Sequence, residues 1–377
     1  MIVYNDVKRQ FVHDAKHNLI ADKIMDAVRT KGLNAGYDRE YMSWENSMEF
    51  MSNVIDCKDI DDEVQICIEY NIPMTSKRVD FIIAGADEAG NENLIIVELK
   101  QWQKAEIVND EMHYSVRTWV AHDNRVVCHP SYQAYSYSCF LKNFSETVHD
   151  EKINLFPCAY LHNYQSEYSS TLSNPIYQDW IREAPFFIEN EKDKLSDFIK
   201  KHISRKSAKG DLLYMIDHGR LRPTKALQDS LASMVKGNKE FMLLDEQAIC
   251  YDLCLNTMAQ CLKDQKKRTI IIQGGPGTGK SVLAINLLMA FINQKLNSSY
   301  LTKNSAPREA FKKLLTRRDV REIVNIQTLF RSPFGLSRCK NNTYDCLIVD
   351  EAHGTHLGMH PYFPENSNRL GADIVIH

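Results

Sequence analysis

Apolar and polar positions follow three different patterns along the chain. Up to about residue 190, short strand-like runs lie among stretches with helical period, which is typical of an α/β domain. These runs cover residues 63–70, 79–84, 94–99 and 157–161. From residue 191 to about 240 the chain is charged and mostly helical in period. From residue 241 onward, short apolar runs alternate with amphipathic helices.

These patterns predict three parts of an α/β protein. We expect a mixed-sheet domain at residues 1–190, a helical connector at residues 191–240 and a parallel-sheet lobe at residues 241–377, because alternation of strands and helices favours βαβ units. The apolar strands and helices of the lobe are predicted at residues 269–273, 282–293, 299–302, 308–315, 322–326 and 346–349. A length of 377 residues agrees with two or three domains of roughly 150 residues each.

Composition and charge exclude several classes of protein. Apolar residues make up 44% and charged residues 25% of the chain, so the protein is neither disordered nor fibrous. A formal net charge of −3 provides no overall basic field, and a site for a polyanion must therefore be local. The ten cysteines contain no C-x-x-C pair, and no apolar run approaches the roughly 20 residues of a membrane span. We therefore expect a reduced, cytoplasmic protein without a membrane segment.

The strongest local signal is a glycine-rich loop that ends in Lys280 and Ser281. It is a full G-x-x-x-x-G-K-[ST] motif between an apolar strand and a helix. Backbone N–H groups of such a loop turn toward a phosphate, and the helix N-terminus adds partial positive charge. Lys280 is expected to reach the phosphates of ATP, and the Ser281 hydroxyl to ligate Mg²⁺. The predicted nucleotide-binding residues of the loop are Gly274, Gly275, Pro276, Gly277, Thr278, Gly279, Lys280 and Ser281.

A second element of the lobe is the apolar run before Asp350 and Glu351. A strand that ends in two carboxylates places Asp350 at the carboxyl edge of the sheet, where it can hold Mg²⁺ through water. Glu351 can then polarise the attacking water. An Asp-Glu pair by itself is more often a solvated strand end. The presence of the phosphate loop in the same lobe favours the functional interpretation.

Together, these motifs resemble the Walker A and Walker B motifs of superfamily 1 and 2 helicases. Gln247 stands where superfamily 1 helicases carry a glutamine that hydrogen-bonds adenine, and residues 300–304 and 326–330 resemble segments that contact nucleic acid. With residues 219–247, the set resembles the Schlafen-group-3-like DNA/RNA helicase domain family. The resemblance implies an ATP-binding, RecA-like lobe. Because only a short stretch follows Glu351, we expect the second lobe to be absent, which leaves ATP hydrolysis open.

The first domain carries a separate set of charged residues on two neighbouring strands. Asp80 lies on an alternating strand, a turn follows at residues 87–91, and the next strand carries Glu98 and Lys100. The two-residue period of a strand places Glu98 and Lys100 on one face, and a hairpin can bring Asp80 beside them. Two carboxylates at that distance predict a site for Mg²⁺ or Mn²⁺. The ammonium group of Lys100 can orient or help deprotonate the attacking water.

This pattern resembles the D…E-x-K core of the PD-(D/E)-x-K nuclease superfamily. Gln133 and Tyr137 are four residues apart and therefore lie on one helical face, which resembles the Q-x-x-x-Y motif of RecB-like nucleases. The resemblance implies a restriction-endonuclease-like mixed sheet, with Gln133 and Tyr137 on a helix that covers the metal site and contacts the substrate. A plain amphipathic helix over a sheet is the alternative for these two residues.

Several other residues have a functional and a structural interpretation. Glu45, Glu49 and Glu69 are candidates for a further acidic ligand, but a solvated helix face explains Glu45 and Glu49 equally well, and none of the three belongs to the predicted core site. His113 and His129 are expected to be bonded into the fold, and the aromatic residues at 132–144 to pack in the core. The basic clusters at 192–209 and 317–321 are either exposed helix faces or contacts for phosphates.

The sequence predicts a metal-dependent nuclease joined to an ATP-binding helicase-type lobe. The expected partners are nucleic acid, with DNA favoured over RNA, and ATP, and the expected role by family analogy is restriction or defence against phage. The alternative is a catalytically inert module that binds nucleic acid or ATP. The choice between endonuclease and exonuclease and the oligomeric state stay open.

Overall fold

The computed structural model describes most of the chain in two compact units. The described residues are 2–30, 37–72, 75, 77–109, 112–120, 122–221, 242–275, 278–302, 329–331, 343–350 and 372–376. The first unit is Met1–Thr224 and the second is Lys225–His377. Both units combine helices with sheets, so the α/β class predicted from the sequence is confirmed at that level.

The strands of the first unit are β1 (Tyr4–Val7), β2 (Gln65–Asn71), β3 (Arg78–Ala86), β4 (Glu92–Lys100), β5 (Ala105–Ile107), β6 (Ser115–Val120), β7 (Asp123–Cys128), β8 (Asn154–Leu161) and β9 (Phe186–Ile188). Its α-helices are α1 (Lys8–Lys16), α2 (Ile20–Thr30), α3 (Tyr37–Ile55), α4 (Pro130–Phe144), α5 (Glu146–Asp150), α6 (Ser169–Leu172), α7 (Gln178–Glu183), α8 (Lys192–His202) and α9 (Leu212–His218). Short 3₁₀ turns lie at Ser166–Tyr168, Pro175–Tyr177 and Glu189–Glu191.

A mixed sheet forms the centre of the first unit. Among the described residues it has six strands in the order β1-β2-β3-β4-β8-β9. Strands β1 to β4 pair antiparallel, whereas β8 pairs parallel to β4 and β9 parallel to β8. The parallel step from β4 to β8 is bridged by α4, which packs against both strands. A smaller antiparallel sheet joins β5, β6 and β7.

Both faces of the central strands are covered by helices. Phe81 and Val97 belong to one hydrophobic core with residues of α1, α2, α3 and α8. Ile82 and Ile96 point to the opposite face, where α4 packs, and both are also buried. Strands buried on both faces consist of nearly continuous apolar residues, which explains the run of isoleucine and valine in β3 and β4.

The first unit extends further along the chain than its pattern predicted. Helices α8 and α9 lie within residues 191–240, which the sequence analysis assigned to a connector, but they pack into the first unit. Leu195 and Ile199 of α8 are part of its main core, and Leu212 of α9 is fully buried. The apolar stripe of each helix is buried against the sheet or its covering helices, so their high charge reflects only the outer faces.

In the second unit, the described strands form a parallel sheet. They are β10 (Arg268–Ile272), β11 (Ser298–Leu301), β12 (Phe330–Arg331), β13 (Cys346–Val349) and β14 (Ala372–Ile376), and the helices are α10 (Glu246–Asp264) and α11 (Lys280–Asn293). The strand order is β10-β14-β13-β11-β12, and every recorded pair is parallel. The predicted alternation of strand and helix is confirmed from α10 to β11. The runs predicted at 308–315 and 322–326 lie outside the described residues.

Two further findings concern the helices and the cysteines of the described residues. None of the helices in the described residues has the length and apolar character that crossing a membrane requires. The nine cysteines in the described part of the chain are all free thiols.

Candidate functional site

The hairpin of β3 and β4 brings the predicted carboxylates together. Phe81 faces Val97 in this antiparallel pair, and the next positions along the ladder are Asp80 and Glu98. The backbone N–H of Leu99 donates a hydrogen bond to Asp80 Oδ2 at 2.8 Å. Lys100 Nζ donates to Glu98 Oε1 at 2.5 Å. The three residues predicted for one site therefore share one face and one end of the hairpin, which is the face that α4 covers.

The local electrostatics of this cluster favour a bound cation. Burial raises the pKa of the Asp80 carboxyl, while the Lys100 ammonium, the hydrogen bond from the Leu99 N–H, hydrogen bonding with Glu98 and the charge of Arg78 act in the opposite direction. Glu98 is only 2% exposed. Two carboxyl groups this close, in a largely apolar setting, repel each other when both are ionised, and a positive charge between them relieves that repulsion.

The donor set of the cluster fits a hard divalent cation. Mg²⁺ typically takes one or two carboxylates from a protein and completes its shell with water and substrate phosphates. Asp80 and Glu98 supply that number. Among the described residues, no group of three or more His, Cys, Asp and Glu side chains is arranged to hold a metal ion. In the part of the chain that the structure describes, the cluster therefore offers two carboxylates.

A third acidic residue, Glu69, lies opposite Asp80 on β2. The register pairs Ile68 with Phe81 and Tyr70 with Val79, which places Glu69 across from Asp80. Glu69 has a left-handed backbone, with φ of 57°, in the interior of its strand. Such a conformation is costly for a residue with a side chain, and conformations of this kind concentrate at functional sites.

The side chain of Glu69 is held on both oxygens. Trp44 Nε1 donates to Glu69 Oε1 at 2.6 Å, and Arg78 Nη1 lies 3.0 Å from Glu69 Oε2. Glu69 thus fixes the guanidinium of Arg78 beside Asp80. The sequence pattern indicates Glu69 only as a possible ligand and does not reveal the roles of Arg78 and Trp44, since only the pairing of β2 with β3 and the packing of α3 bring them together. Of the other acidic candidates, Glu49 is exposed and Glu45 partly exposed.

Gln133 and Tyr137 lie together on α4, as their spacing predicts. Gln133 Nε2 donates to the Tyr137 hydroxyl at 2.9 Å, and Tyr137 is buried. The helix begins after His129, whose ring Nδ1 accepts from the N–H of Ser131 at 3.2 Å and whose Nε2 bonds to Leu172 O. This buried ring has a pKa lowered to about 4 by desolvation. His129 is therefore bonded into the fold, in agreement with its structural interpretation.

A polar chain anchors the end of β4 just after Lys100. Gln101 Nε2 donates to the Ser43 backbone oxygen and to Ser47 Oγ, both at 3.0 Å. Ser47 Oγ in turn bonds to His162 Nε2 at 3.1 Å. The chain ties the strand end to α3 and to the residue after β8. Sequence reasoning missed these residues, and the only available signal was the position of Gln101 next to Lys100.

In the second unit, the phosphate loop lies between β10 and α11. Thr278 Oγ1 donates to the Gly275 carbonyl at 2.8 Å, and Lys280 Nζ donates to the carbonyls of Gly274 and Gly275 at 2.8 and 2.9 Å. Gly279 has a left-handed backbone, with φ of 79°, immediately before the helix. Of the predicted loop residues, Pro276 and Gly277 lie outside the described residues.

Gln247 contacts the phosphate loop directly. Its Nε2 donates to the Thr278 carbonyl at 2.8 Å, and its Oε1 accepts from the N–H of Leu244 at 3.0 Å. A Cβ on Gly279 would lie 2.4 Å from Gln247 Nε2, so the close approach of this side chain depends on the glycine. The contact between Gln247 and adenine stays a prediction. In the structure, Gln247 lies beside the phosphate loop.

Ser281 and Asp350 are joined at the start of α11. Ser281 Oγ donates to Asp350 Oδ2 at 2.8 Å, and the Tyr300 hydroxyl donates to the same oxygen. The N–H of Asp350 donates to Leu301 O at 2.9 Å, and the side chain is buried. A hydroxyl and a carboxylate beside a phosphate loop fit Mg²⁺. Tyr300 was not predicted, and Glu351 lies outside the described residues.

Comparison with known families supports the helicase-like part of the resemblance. Residues 267–366 match the model of the Schlafen group 3 DNA/RNA helicase domain. This match includes the phosphate loop and Asp350, and it indicates a nucleic-acid-related, ATP-binding function. No curated protein matches the chain. The match begins after the first unit, so the nuclease role of the carboxylate cluster stays a prediction.

Proposed function

We propose that this chain is a metal-dependent nuclease that hydrolyses phosphodiester bonds of nucleic acid, with DNA as the expected substrate, and that its helicase-type lobe binds ATP. The observation that carries the nuclease part is the convergence of Asp80, Glu98 and Lys100 at one end of the β3–β4 hairpin. Restriction or defence against phage is the expected role by family analogy, and the cytoplasm is the expected location.

The residues of the cluster have distinct roles in this proposal. Asp80 and Glu98 hold Mg²⁺ or Mn²⁺, which supplies Lewis-acid polarisation of the scissile phosphate when bound. The hydrogen bond from the Leu99 N–H orients the Asp80 carboxylate. Lys100, at 2.5 Å from Glu98, holds that carboxylate in place and presents positive charge to the attacking water and the phosphate. Gln133, which is partly exposed on α4, contacts the nucleic acid, and the buried Tyr137 positions it through their hydrogen bond.

The helicase-type lobe is proposed to bind ATP at the phosphate loop. Backbone N–H groups of the loop surround the phosphates, and Lys280 exchanges its bonds to loop carbonyls for bonds to phosphate oxygens. Ser281 and Asp350 hold the Mg²⁺ of the nucleotide, Gln247 contacts the adenine, and Glu351 orients the attacking water. Whether the lobe also hydrolyses ATP is a separate question from binding.

Cleavage of plasmid DNA with Mg²⁺ or Mn²⁺ tests the nuclease proposal. We expect Asp80→Asn and Lys100→Ala each to abolish metal-dependent cleavage while the circular dichroism spectrum is retained. Asparagine can still accept the hydrogen bond from Leu99, so Asp80→Asn removes charge with little change of shape. Glu88→Gln, in the exposed turn of the same hairpin, is the control and should leave cleavage unchanged. Cleavage that persists in both cluster variants rules out this site.

An inert binding module is the second candidate, and one observation favours it. The described residues offer two carboxylates and no larger metal cluster, and Glu69 is already engaged by Arg78 and Trp44. An inert module predicts that the wild-type chain binds DNA or ATP but does not cleave nucleic acid with either metal. Binding without cleavage by the intact chain would therefore select this candidate.

Binding of ATP is tested independently with Lys280→Ala. A hydrogen bond from a charged donor to a phosphate contributes about 1.5–3 kcal/mol, so the affinity should fall by about 10- to 100-fold. Lys263→Ala, on the exposed side of α10, is the matched control and should change nothing. Titration of a fluorescent ATP analogue measures both variants. An unchanged affinity in Lys280→Ala would place the nucleotide elsewhere.

A further inference from the structure

A second concave surface of the first unit lies away from the carboxylate cluster. It is a cleft of about 470 Å³ between α4, the turn from α5 to β8, the first half of β8 and the end of α7. The cleft contacts residues 154–157 of β8, whereas Glu98 pairs with Ala159 further along that strand. Strand β9 pairs only with residues 159–161, so the outer edge of β8 at the cleft is not covered by β9.

Lysines outnumber carboxylates among the charged side chains that line the cleft. Lys142 comes from α4, and His149 and Lys152 come from α5 and the turn that follows it. Glu183 is the one acidic residue of the lining among described residues. Within the described part of the chain, none of these four side chains forms an ion pair. The lysine charges are therefore available to a ligand of opposite charge.

The backbone at Lys152 is in an unusual conformation for a lysine. It has φ of 53°, and the N–H groups of Lys152 and Ile153 donate to His149 O and Val148 O at 3.3 and 3.0 Å. This is the left-handed ending of a helix, where glycine is by far the preferred residue. A lysine there is disfavoured by its own backbone, and such conformations often accompany binding sites.

The remaining walls of the cleft are apolar or neutral. Leu155 is partly exposed, and Ile153 and Pro157 are buried. The ring of Phe156 stacks on His202 of α8, on the opposite face of the sheet, so it is not part of this wall. Burial raises the pKa of the Cys139 thiol, which is therefore protonated and unsuited to act as a nucleophile. The Tyr135 phenol, whose pKa is also raised by burial, is a neutral hydrogen-bond donor. The surface is suited to binding rather than to chemistry.

We propose that this cleft binds a nucleotide through its phosphate, with Lys142 and Lys152 on the phosphate and the base against Leu155. Two lysines beside a partly exposed apolar side chain complement an organic phosphate, which carries a charged group and a less polar group. Inorganic phosphate would leave the apolar side chain exposed to water. A volume of 470 Å³ lies in the range of pockets that hold small organic ligands. The same chemistry is offered by a free mononucleotide and by the 5′-phosphorylated end of a strand. This proposal does not depend on the nuclease activity.

The test uses AMP and the full chain carrying Lys280→Ala, with EDTA present, so that neither the phosphate loop nor a metal site contributes. We expect AMP to bind, and the double variant Lys142→Ala/Lys152→Ala to bind at least about tenfold more weakly. Adenosine and inorganic phosphate should each bind at least about tenfold more weakly than AMP. Lys58→Ala, an exposed lysine elsewhere in the unit, is the control and should match the parent.

A second variant separates binding from folding. Lys152→Gly removes the charge and also relieves the left-handed backbone, so it should lower AMP affinity while the melting temperature stays the same or rises. Cross-linking with 8-azido-AMP should label the segment 135–157. Unchanged AMP affinity in the double variant, labelling outside this segment, or equal binding of inorganic phosphate and AMP would each overturn the proposal.

Competition with oligonucleotides identifies the source of the ligand. A 5′-phosphorylated strand that displaces AMP, when its 5′-hydroxyl counterpart does not, supports a strand end as the natural ligand. AMP binding that neither strand affects supports a free mononucleotide. If neither AMP nor the phosphorylated strand binds, the cleft is not a nucleotide site.

Discussion

The carboxylate cluster of the first unit and the phosphate loop of the second are built in opposite ways. Asp80 and Glu98 lie on separate strands, and they meet only because β3 and β4 pair in one register. The phosphate loop is contiguous, and most of its contacts run between residues a few positions apart, as from Lys280 to Gly275. A loop site therefore depends mainly on local backbone conformation, whereas a sheet site depends on long-range pairing.

The two sites also differ in how deeply their strands are buried. All but the last residue of β4 is buried, and its neighbours β3 and β8 lie between helices. In β10, before the phosphate loop, the exposed residues include Ile271, which is 65% exposed. A packed core therefore supports the carboxylate cluster, whereas the strand that supports the phosphate loop is more exposed to solvent. The following predictions test this difference, beginning with the largest expected effect.

Glu98→Gln should reduce metal-dependent cleavage by at least about 10²-fold, because a metal site contributes several kcal/mol to the transition state. Glu69→Gln should reduce it by only about tenfold, since Glu69 acts by holding Arg78 beside Asp80. Rates of plasmid cleavage at saturating Mg²⁺ measure both variants. An equal loss in the two variants would mean that Glu69 is as central to the site as Glu98.

Ile95→Ala should destabilise the first unit by about 2–5 kcal/mol, because Ile95 is fully buried in β4 and its loss leaves a cavity. Ile271→Ala, on β10, should change stability by less than about 0.5 kcal/mol since the side chain is mostly exposed. Urea unfolding followed by hydrogen exchange assigns each change to its unit. Comparable losses at both positions would contradict the difference in burial.

Lowering the pH should reduce the stability of the first unit, because the buried His129 ring resists protonation in the folded chain. The pKa of this buried ring is lowered to about 4 from an ordinary value near 6.5, so the unfolded chain binds a proton that the folded chain excludes between these values. Stability should be complete above about pH 6.5 and should fall by about 3 kcal/mol as the pH decreases to 4. His129→Asn, which can still cap α4, should flatten this dependence. An unchanged slope in that variant would assign the acid sensitivity to other groups.

Gly279→Ala should destabilise the second unit by about 1–2 kcal/mol, because alanine is strained at a φ of 79° and its Cβ meets Gln247. Gly275→Ala is the matched control within the same loop, since a Cβ there has no neighbour within 4 Å and the backbone is not left-handed. Thermal unfolding without nucleotide compares the two variants. Equal melting temperatures would show that the loop can adopt another conformation at Gly279.

Much of the strand and helix pattern could be predicted, with small shifts at the ends. The strand predicted at 346–349 is Cys346–Val349, and the one predicted at 94–99 is Glu92–Lys100. Helices α8 and α9 were assigned to a connector because charge dominates their composition. Residues such as Leu195 bury only the inner face of each helix, and composition does not reveal which surface that face will meet.

The candidate site could likewise be predicted only in part, because local patterns do not reveal contacts between distant segments. The spacing of Glu98 and Lys100 indicates a shared face, since the strand period is local, and the turn at 87–91 indicates a hairpin. Neither reveals that Glu69 adopts a left-handed backbone or that Trp44 reaches it from α3. Tyr300 and Asp350 likewise meet across β11 and β13, which are far apart in the chain.

Local chemistry alone thus specified the phosphate loop, the order of strands and helices, and the alternation that aligns Glu98 with Lys100. These features depend on dihedral preferences and side-chain periods within a few residues. Strand register, helix packing and burial decided that Asp80 meets Glu98, that Glu69 holds Arg78, and that Lys142 and Lys152 share one cleft. Such contacts form only when distant segments fold together, because the free energy that stabilises them comes from burying surfaces that no single segment contains.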